Sequence, residues 1–458
     1  MNLYVIKFGG SVLTDYESLM NAAAYIIKKQ KENRVIAVPS AFSGITNVHK
    51  GIFKNIRDPD YYPIKRAELR YIYSLIFDRF PRPYAEGAMN EIDEHLKALD
   101  AYVQSGSEDA IVGSGEQQAG IILRYFVEAL EGDVEYINSA DAGFLIKENR
   151  SIDIERSAIG LRKTIGARDP KKALIIPGYV GRHVDTHVVR TGTRNSTDSF
   201  ASAVGYSIDA DTVTVEIIKD VPAICRVEKR YGNYGTLNAL SYDESGEMTW
   251  KGSPVVHPEA INIASLKKIP IVVKNLDPDS KGTLISTESQ TTKENPVAAI
   301  VVVYQPMINV IDSLMTERTG YLHLLTGFET RKGNSIDMVS TGNKSVSYTV
   351  SLGDVKSDEN IDQLLALHLN ELKNYMNSMG FEPSVDGEVV AKISAVGKAM
   401  QGTPGILRRI YGTTEAVNVS VRANSQSDEK PLPPTVSFAV DADKADITVK
   451  ALCEELFK

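Results

Sequence analysis

The sequence predicts an α/β protein: an open, mostly parallel sheet sandwiched by helices, followed by two small βαββαβ-type modules. Three observations carry that expectation. Short apolar runs rich in Val and Ile recur as far as Lys274 without polar alternation, the pattern of strands buried on both faces. Longer helical patterns lie between them, as an α/β layering requires. Beyond residues 276–296, LDPDSKGTLISTESQTTKENP, which are crowded with turn formers and charge, a β–helix–β cadence occurs twice.

Leu3 to Ile6 reads as the first strand and ends at Gly9-Gly10. A helical pattern runs from Tyr16 to Lys31, and Val35 to Val38 is a second strand closed by Pro39-Ser40. Gln117 to Leu130 predicts a helix, which leaves Gly113-Ser114-Gly115-Glu116 in the turn before it. Strands follow at Ala173 to Ile176, Thr212 to Ile218 and Ile269 to Val273, with a helix from Ser199 to Tyr206. The turn-rich stretch sets a boundary. It gives a first domain at 1–290 and modules at 297–375 and 385–458, with interleaving of the two left open. In the first module VAAIVVVY, LHLLTGF and SVSYTVS are expected as strands. In the second, EVVAKISAVG, VNVSVRA and TVSFAV are, with a helix after Thr403, and Glu359 to Met379 is the helix between modules.

Composition narrows the function classes. Of 458 residues, 43% are hydrophobic and 24% charged, which is ordinary globular composition. The formal charge of 51 − 59 = −8 argues against nucleic acid or an anionic membrane as the main partner. Cys225 and Cys453 read as free thiols in a reducing compartment. The seven histidines form no HExxH and no Cys/His cluster, so no metal site made of protein side chains is expected. MNLYVIKFGG lacks the layout of a signal peptide, and no apolar run reaches membrane-spanning length, so the chain reads as cytoplasmic.

Several small-residue turns sit where parallel strands end, the edge at which open α/β sheets bind ligands. After the first strand, Lys7-Phe8-Gly9-Gly10-Ser11 offers backbone N–H groups, an ammonium and a hydroxyl to a phosphate. It is neither a Walker A nor a dinucleotide fingerprint. After the second, Ser40 to Asn47 presents the hydroxyls of Ser40, Ser43 and Thr46 at the same edge. Glu116 lies in a third turn. In Thr193-Arg194-Asn195-Ser196-Thr197-Asp198, Arg194 is a bidentate carboxylate clamp and Asp198 a partner for lysines. Lys219-Asp220 follows a buried strand, and Lys274 ends another, where an unpaired ammonium is costly. A capping or packing role competes at each position taken singly. His257 and Trp250 read as structural, a turn cap and a core or interface filler.

Taken in order, KFGGSV, SAFSGITN, the Gly-Glu pair, Arg194 with Thr197-Asp198, His257-Pro258 and IPIVVKN…GTLI resemble the aspartokinase branch of the amino-acid kinase family. The resemblance spans nearly the whole chain, because that family ends in two ACT modules. It implies ATP with Mg²⁺ as the phosphoryl donor, the metal riding on the phosphates. Lys7, Asp198 and Lys274 would be catalytic, with Asp198 organising the lysines. Gly9, Gly10, Ser11, Asp220 and Arg230, with Lys7 and Lys274, would hold ATP and its phosphates. Arg194 would grip the α-carboxylate of a small amino acid, Glu116 its ammonium, and Ser40 and Thr46 its acceptor end. An amino-acid effector at the ACT modules and a homodimer or larger homo-oligomer are further implications.

The chain departs from the family pattern at several points. Asn195 and Ser196 replace two glycines, Ser114 stands where phenylalanine is favoured, and Pro222 to Arg230 lacks the usual tyrosine and Asp-Pro turn. Ser347 replaces the asparagine of the effector turn, and Ala423 to Pro434 is a polar insertion. Three functions therefore stay open at this point: phosphorylation of the aspartate side-chain carboxylate, phosphorylation of the homoserine hydroxyl, and a catalytically silent amino-acid sensor.

Overall fold

The computed structural model describes residues 2–253, 256–317, 319–352, 361–427 and 434–457. The chain divides into two compact units. The first holds Met1–Ile224, Thr236–Gly246 and Pro254–Ser289; the second holds Cys225–Gly235, Glu247–Ser253 and Gln290–Lys458.

The strands of the first unit are β1 (Leu3–Phe8), β2 (Arg34–Pro39), β3 (Val134–Tyr136), β4 (Leu145–Ile146), β5 (Ala173–Ile175), β6 (Val180–His183), β7 (Val189–Thr191), β8 (Val213–Ile218), β9 (Ala239–Ser241), β10 (Ile271–Lys274) and β11 (Thr283–Ser286). Its helices are α1 (Tyr16–Gln30), α2 (Ile45–Lys54), α3 (Tyr61–Ile76), α4 (Arg82–Ser105), α5 (Glu108–Ala129), α6 (Ser139–Ala142), α7 (Ile154–Gly166), α8 (Thr197–Ser207), α9 (Tyr242–Trp250, whose last turn belongs to the second unit) and α10 (Pro258–Leu266). Eight strands form the main sheet in the order β3-β5-β2-β1-β8-β10-β11-β9, with only the β10–β11 pair antiparallel. β4, β6 and β7 form a small second sheet. Val35 to Val38 and Val5, Ile6 and Phe8 are fully buried, because helices cover both faces.

Local signals explain the best-defined helices. Asp15 caps α1 by accepting from the Ser18 N–H, and Ser18 returns the bond, a capping box that contributes about 1 kcal/mol. Leu19, Ala22, Ala23 and Ile26 then fall on one buried face at i, i+3, i+4 and i+7. α5 corrects the expected helix at Gln117: it begins at Glu108, so Gly113 to Glu116 lie inside it. The glycines serve packing rather than a turn. A Cβ at Gly113 would stand 2.5 Å from Val180 Cγ2, and one at Gly115 3.0 Å from Ile45 Cγ2. Close approach of neighbouring elements outweighs their low helix propensity.

In the second unit one sheet runs β13-β14-β12-β15-β17-β16, with β12 (Ala299–Ile311), β13 (Ser335–Thr341), β14 (Ser345–Ser351), β15 (Ser384–Val396), β16 (Ala423–Ser427) and β17 (Thr435–Asp441). Its helices are α11 (Tyr321–Lys332), α12 (Ile361–Ser378), α13 (Ile406–Ala416) and α14 (Ala445–Leu456). β12 and β15 pair along thirteen residues and serve two cores. Ile300 and Val302 pack with Ile406, Ile410 and Val449, whereas Ile308 and Val310 pack with Leu325, Leu365 and Leu372. The two modules therefore share one sheet through their first strands.

Two strand expectations fail here. LHLLTGF lies in α11, since Tyr321, Leu325, Phe328 and Glu329 are buried at helical spacing between Gly320 and Gly333. VNVSVRA is strand only at its last residue, Ala423, because Asn418 has a left-handed backbone, φ 55°, which ends α13 in a turn. The polar insertion is strand through Ser427, and its residues 428–433 lie outside the described ones. Trp250 is 73% exposed and fills no core of this chain. Cys225 and Cys453 are both free. Among the described residues no helix is long and apolar enough to cross a membrane.

Candidate active site

Two tight turns meet at the C-terminal end of β1 and β2. The Gly9 N–H donates to Ile218 O at 3.1 Å and the Ser40 N–H to Phe8 O at 3.0 Å, so each turn is tied to a neighbouring strand. A Cβ at Gly10 would stand 2.5 Å from the Ala41 carbonyl oxygen, so only glycine lets the turns come this close. Gly10, Ser11, Ser40, Thr46, Glu116 and Arg194 then line one cleft of about 230 Å³. Two of the sequence-predicted phosphate residues, Gly10 and Ser11, are brought together there with the acceptor and amino-acid residues, in the first unit.

Behind the glycine turn lies an ion pair. Lys7 Nζ is 2.9 Å from Asp198 Oδ1, both side chains being at least nine-tenths buried. Burial pushes the Asp198 carboxyl up, but Lys7, Lys219 and the His257 N–H together hold it below the usual carboxylate range. His257 stands at the N-terminal boundary of α10 without a side-chain cap bond. Its N–H donates to Asp198 Oδ2 at 3.2 Å, and its ring lies 3.1 Å from Thr193 Oγ1 and 3.0 Å from Ser199 Oγ. Burial holds its pKa down, with Glu259 and Asp198 opposing.

Glu116 is 3% exposed and sits within α5 on the cleft wall. Burial drives its pKa up to about 8; its own N–H, that of Ala41 and the Lys50 ammonium pull it back only in part. Its Oε2 has no hydrogen-bond partner, so the cleft contains a buried carboxyl oxygen with an unmet need for a donor. Arg194 is exposed at the rim. Beside it, Asn195 has φ 64°, the left-handed region that glycine favours and asparagine tolerates, so the replaced glycine leaves the turn intact.

The remaining predicted residues fall elsewhere. Register pairs Lys7 with Ile217 and Ile217 with Val273, while Lys274 pairs with Ile218. Alternation therefore sends Lys274 to the opposite face of the sheet from Lys7. Its Nζ lies 5.4 Å from the centroid of Tyr25, whose hydroxyl donates to Glu216. Asp220 is exposed just past β8. Arg230 belongs to the second unit, where it pairs with Glu228 at 3.0 Å and lies over the rings of Tyr231 and Tyr304.

Sequence reasoning gave no role to three residues. Lys50 and Tyr179 also line the cleft. Tyr179 has φ 69°, an outlier for a bulky residue and a form of strain that collects at functional sites. Lys219 stands within electrostatic reach of Asp198 and Lys7. The argument applied to Lys274, a lysine closing a buried strand, applies to Lys219 with equal force. Among the described residues no group of three or more His, Cys, Asp or Glu is placed to hold a metal ion.

A mostly parallel sheet whose strand ends carry a glycine turn, an ammonium–carboxylate pair and a cleft of amino-acid size suits a small-molecule kinase. Residues 2–275 match the amino acid kinase family, and the chain belongs to it. Residues 393–456 match the ACT domain. Among curated relatives, aspartokinase 2 of Bacillus subtilis is 27% identical, over 94% of this chain and 93% of its own. Lysine-sensitive aspartokinase 3 of Escherichia coli is 23% identical over 100% and 99%. The fold matches the crystal structure of Escherichia coli aspartokinase III in complex with lysine and aspartate, with TM-score 0.81 and 21% identity over the full length of both. It also matches Clostridium acetobutylicum aspartate kinase, with TM-score 0.78 and 22% identity over 99% and 100%.

Proposed function

We propose that this protein transfers the γ-phosphoryl group of ATP to the side-chain carboxylate of L-aspartate, giving 4-phospho-aspartate and ADP. One observation carries the reading. The cleft sets the cations Arg194 and Lys50 against the single buried carboxyl of Glu116, whose Oε2 is unpartnered. That is the complement of a molecule with two carboxylates and one ammonium. The relatives named aspartokinase, aligned over almost the whole chain, support it. No observation favours homoserine or a silent sensor, since homoserine has one carboxylate and a silent protein has no use for the Lys7–Asp198 pair.

In the reaction a side-chain carboxylate oxygen attacks the γ-phosphorus, the bond to the β,γ-bridging oxygen breaks, and its electron pair leaves on ADP. The acceptor, with a pKa of about 3.9, is already ionised, so no general base is needed. Lys7, held by Asp198, neutralises charge on the transferring group, while Gly9, Gly10 and Ser11 align the phosphate oxygens. Mg²⁺, brought in with the nucleotide, would supply positive charge to the phosphates. Arg194 holds the α-carboxylate, Glu116 the ammonium, and Ser40 and Thr46 the acceptor end. Lys274 and Asp220 serve the nucleotide side.

The ACT unit takes an amino-acid effector and joins copies into a homodimer or larger assembly, a reading supported by the exposed Ile311, Val339 and Leu367. Light scattering of the purified chain reads the assembly. The activity is tested by ADP release from ATP·Mg²⁺ with aspartate and homoserine side by side. Aspartate-dependent release, with hydroxamate formed in hydroxylamine, is the expected result; turnover with homoserine alone overturns it.

A further inference from the structure

The resemblance gives Asp198 two lysines to organise, Lys7 and Lys274. The structure offers it a different second one. β1 and β8 run parallel with Lys7 opposite Ile217. Lys219 lies two residues past Ile217, and its N–H continues the ladder to Lys274 O at 2.9 Å. Strand alternation therefore puts Lys219 on the Lys7 face, one strand over, at the level of the glycine turn. The turn itself is anchored there, since Gly9 N–H donates to Ile218 O, the residue before Lys219.

We propose that Lys219 is the second catalytic ammonium, sharing Asp198 with Lys7 and contacting the phosphoryl group as it moves from ATP to the amino acid. The proposal rests on the kinase reading above. Three things support it. Lys219 is half-buried, so its ammonium stays reachable from the glycine turn. Lys7 and Lys219 both act on the one buried carboxylate of Asp198, beside a backbone turn whose N–H groups suit an anion. Burial and Lys7 push the Lys219 pKa down while Asp198 and Asp220 oppose them, which places its ammonium in the same electrostatic cluster as the Lys7–Asp198 pair. Lys274 lies on the far face, above Tyr25.

An ammonium that acts on charge spread over the transferring group affects the chemical step more than substrate capture. The test compares Lys219→Gln, Lys219→Arg and Lys274→Gln with the wild type, reading kcat, both KM values and thermal unfolding. Lys219→Met, which keeps the aliphatic stem, stands in if the Gln variant does not fold. Removing the charge is expected to lower kcat by about a hundredfold or more while KM for aspartate moves less than about threefold. Lys219→Arg should recover at least about a tenth of wild-type kcat, and Lys274→Gln should cost less kcat than Lys219→Gln. A folded Lys219→Gln or Lys219→Met enzyme with kcat within about threefold of wild type overturns the assignment, as does the reverse order of the two lysines. Loss in KM alone, or in unfolding temperature alone with kcat kept, also overturns it. Absence of aspartate-dependent turnover in the wild type would instead remove the kinase reading, which separates the two failures.

Discussion

Burying Glu116 has a cost that pH can expose. Its pKa of about 8 stands against an ordinary 4.5. At about 1.4 kcal/mol per unit, the charged form of Glu116 is therefore destabilised in the empty cleft by something on the order of 5 kcal/mol. Near pH 7 only about one molecule in ten carries the ionised carboxylate that a substrate ammonium needs. Aspartate binding should then release close to one proton, and its affinity should rise about tenfold per pH unit up to about pH 8, then level off. Calorimetric titration of aspartate in buffers of different ionisation enthalpy reads the proton count directly. Glu116→Gln removes the charge, flattens the profile and weakens binding above pH 8 by roughly ten- to a hundredfold, the worth of one charged hydrogen bond. The stability sign is opposite. The folded pKa is raised, so the stabilising contribution is complete below the unfolded value near 4.5 and is lost as pH rises toward 8. Urea midpoints of the wild type should fall across that window relative to Glu116→Gln. A pH-independent aspartate affinity between about pH 6 and 8, with no proton released, would refute the reasoning.

Three further outcomes follow from the geometry. Gly10→Ala forces a methyl group against the Ala41 carbonyl and should lower kcat/KM for ATP by about a hundredfold, measured by coupled ADP release. Asp198→Asn leaves Lys7 without its buried counter-charge and should destabilise the first unit by about 3 kcal/mol in urea titration as well as abolish turnover. Tyr348→Phe removes one of the donors to the buried Glu329, which also accepts from His368 and Asn334, and should cost about 1–2 kcal/mol in thermal unfolding of the second unit.

Much of the first unit was legible because its strands are continuous apolar runs and its turns are glycine- and hydroxyl-rich. Lys7, Gly10, Thr46 and Arg194 could be named from those turns alone. What escaped was information that lies between segments. Two glycines within one long helix read as a turn until Val180 and Ile45 are seen pressed against them. Which face of the sheet a terminal lysine takes depends on strand register, so Lys274 and Lys219 could not be ranked from spacing. Lys50 carries no signal of its own, being one lysine on a short helix. In the second unit, Leu322 to Phe328 is too short a run to betray its period, and only the glycines flanking α11 hint at a helix.

The path of the chain between its two units bears on how such proteins can be taken apart. The backbone changes unit at 224/225, 235/236, 246/247, 253/254 and 289/290. No single scission, by protease or by gene fusion, therefore separates the units intact. A graft joined at 289/290 would carry the shared ACT sheet away from Val227 and Tyr231, which belong to its core. Exchange of regulatory halves between relatives has to respect a stitched seam, and a chimera that ignores it inherits a hole in the core it was meant to borrow.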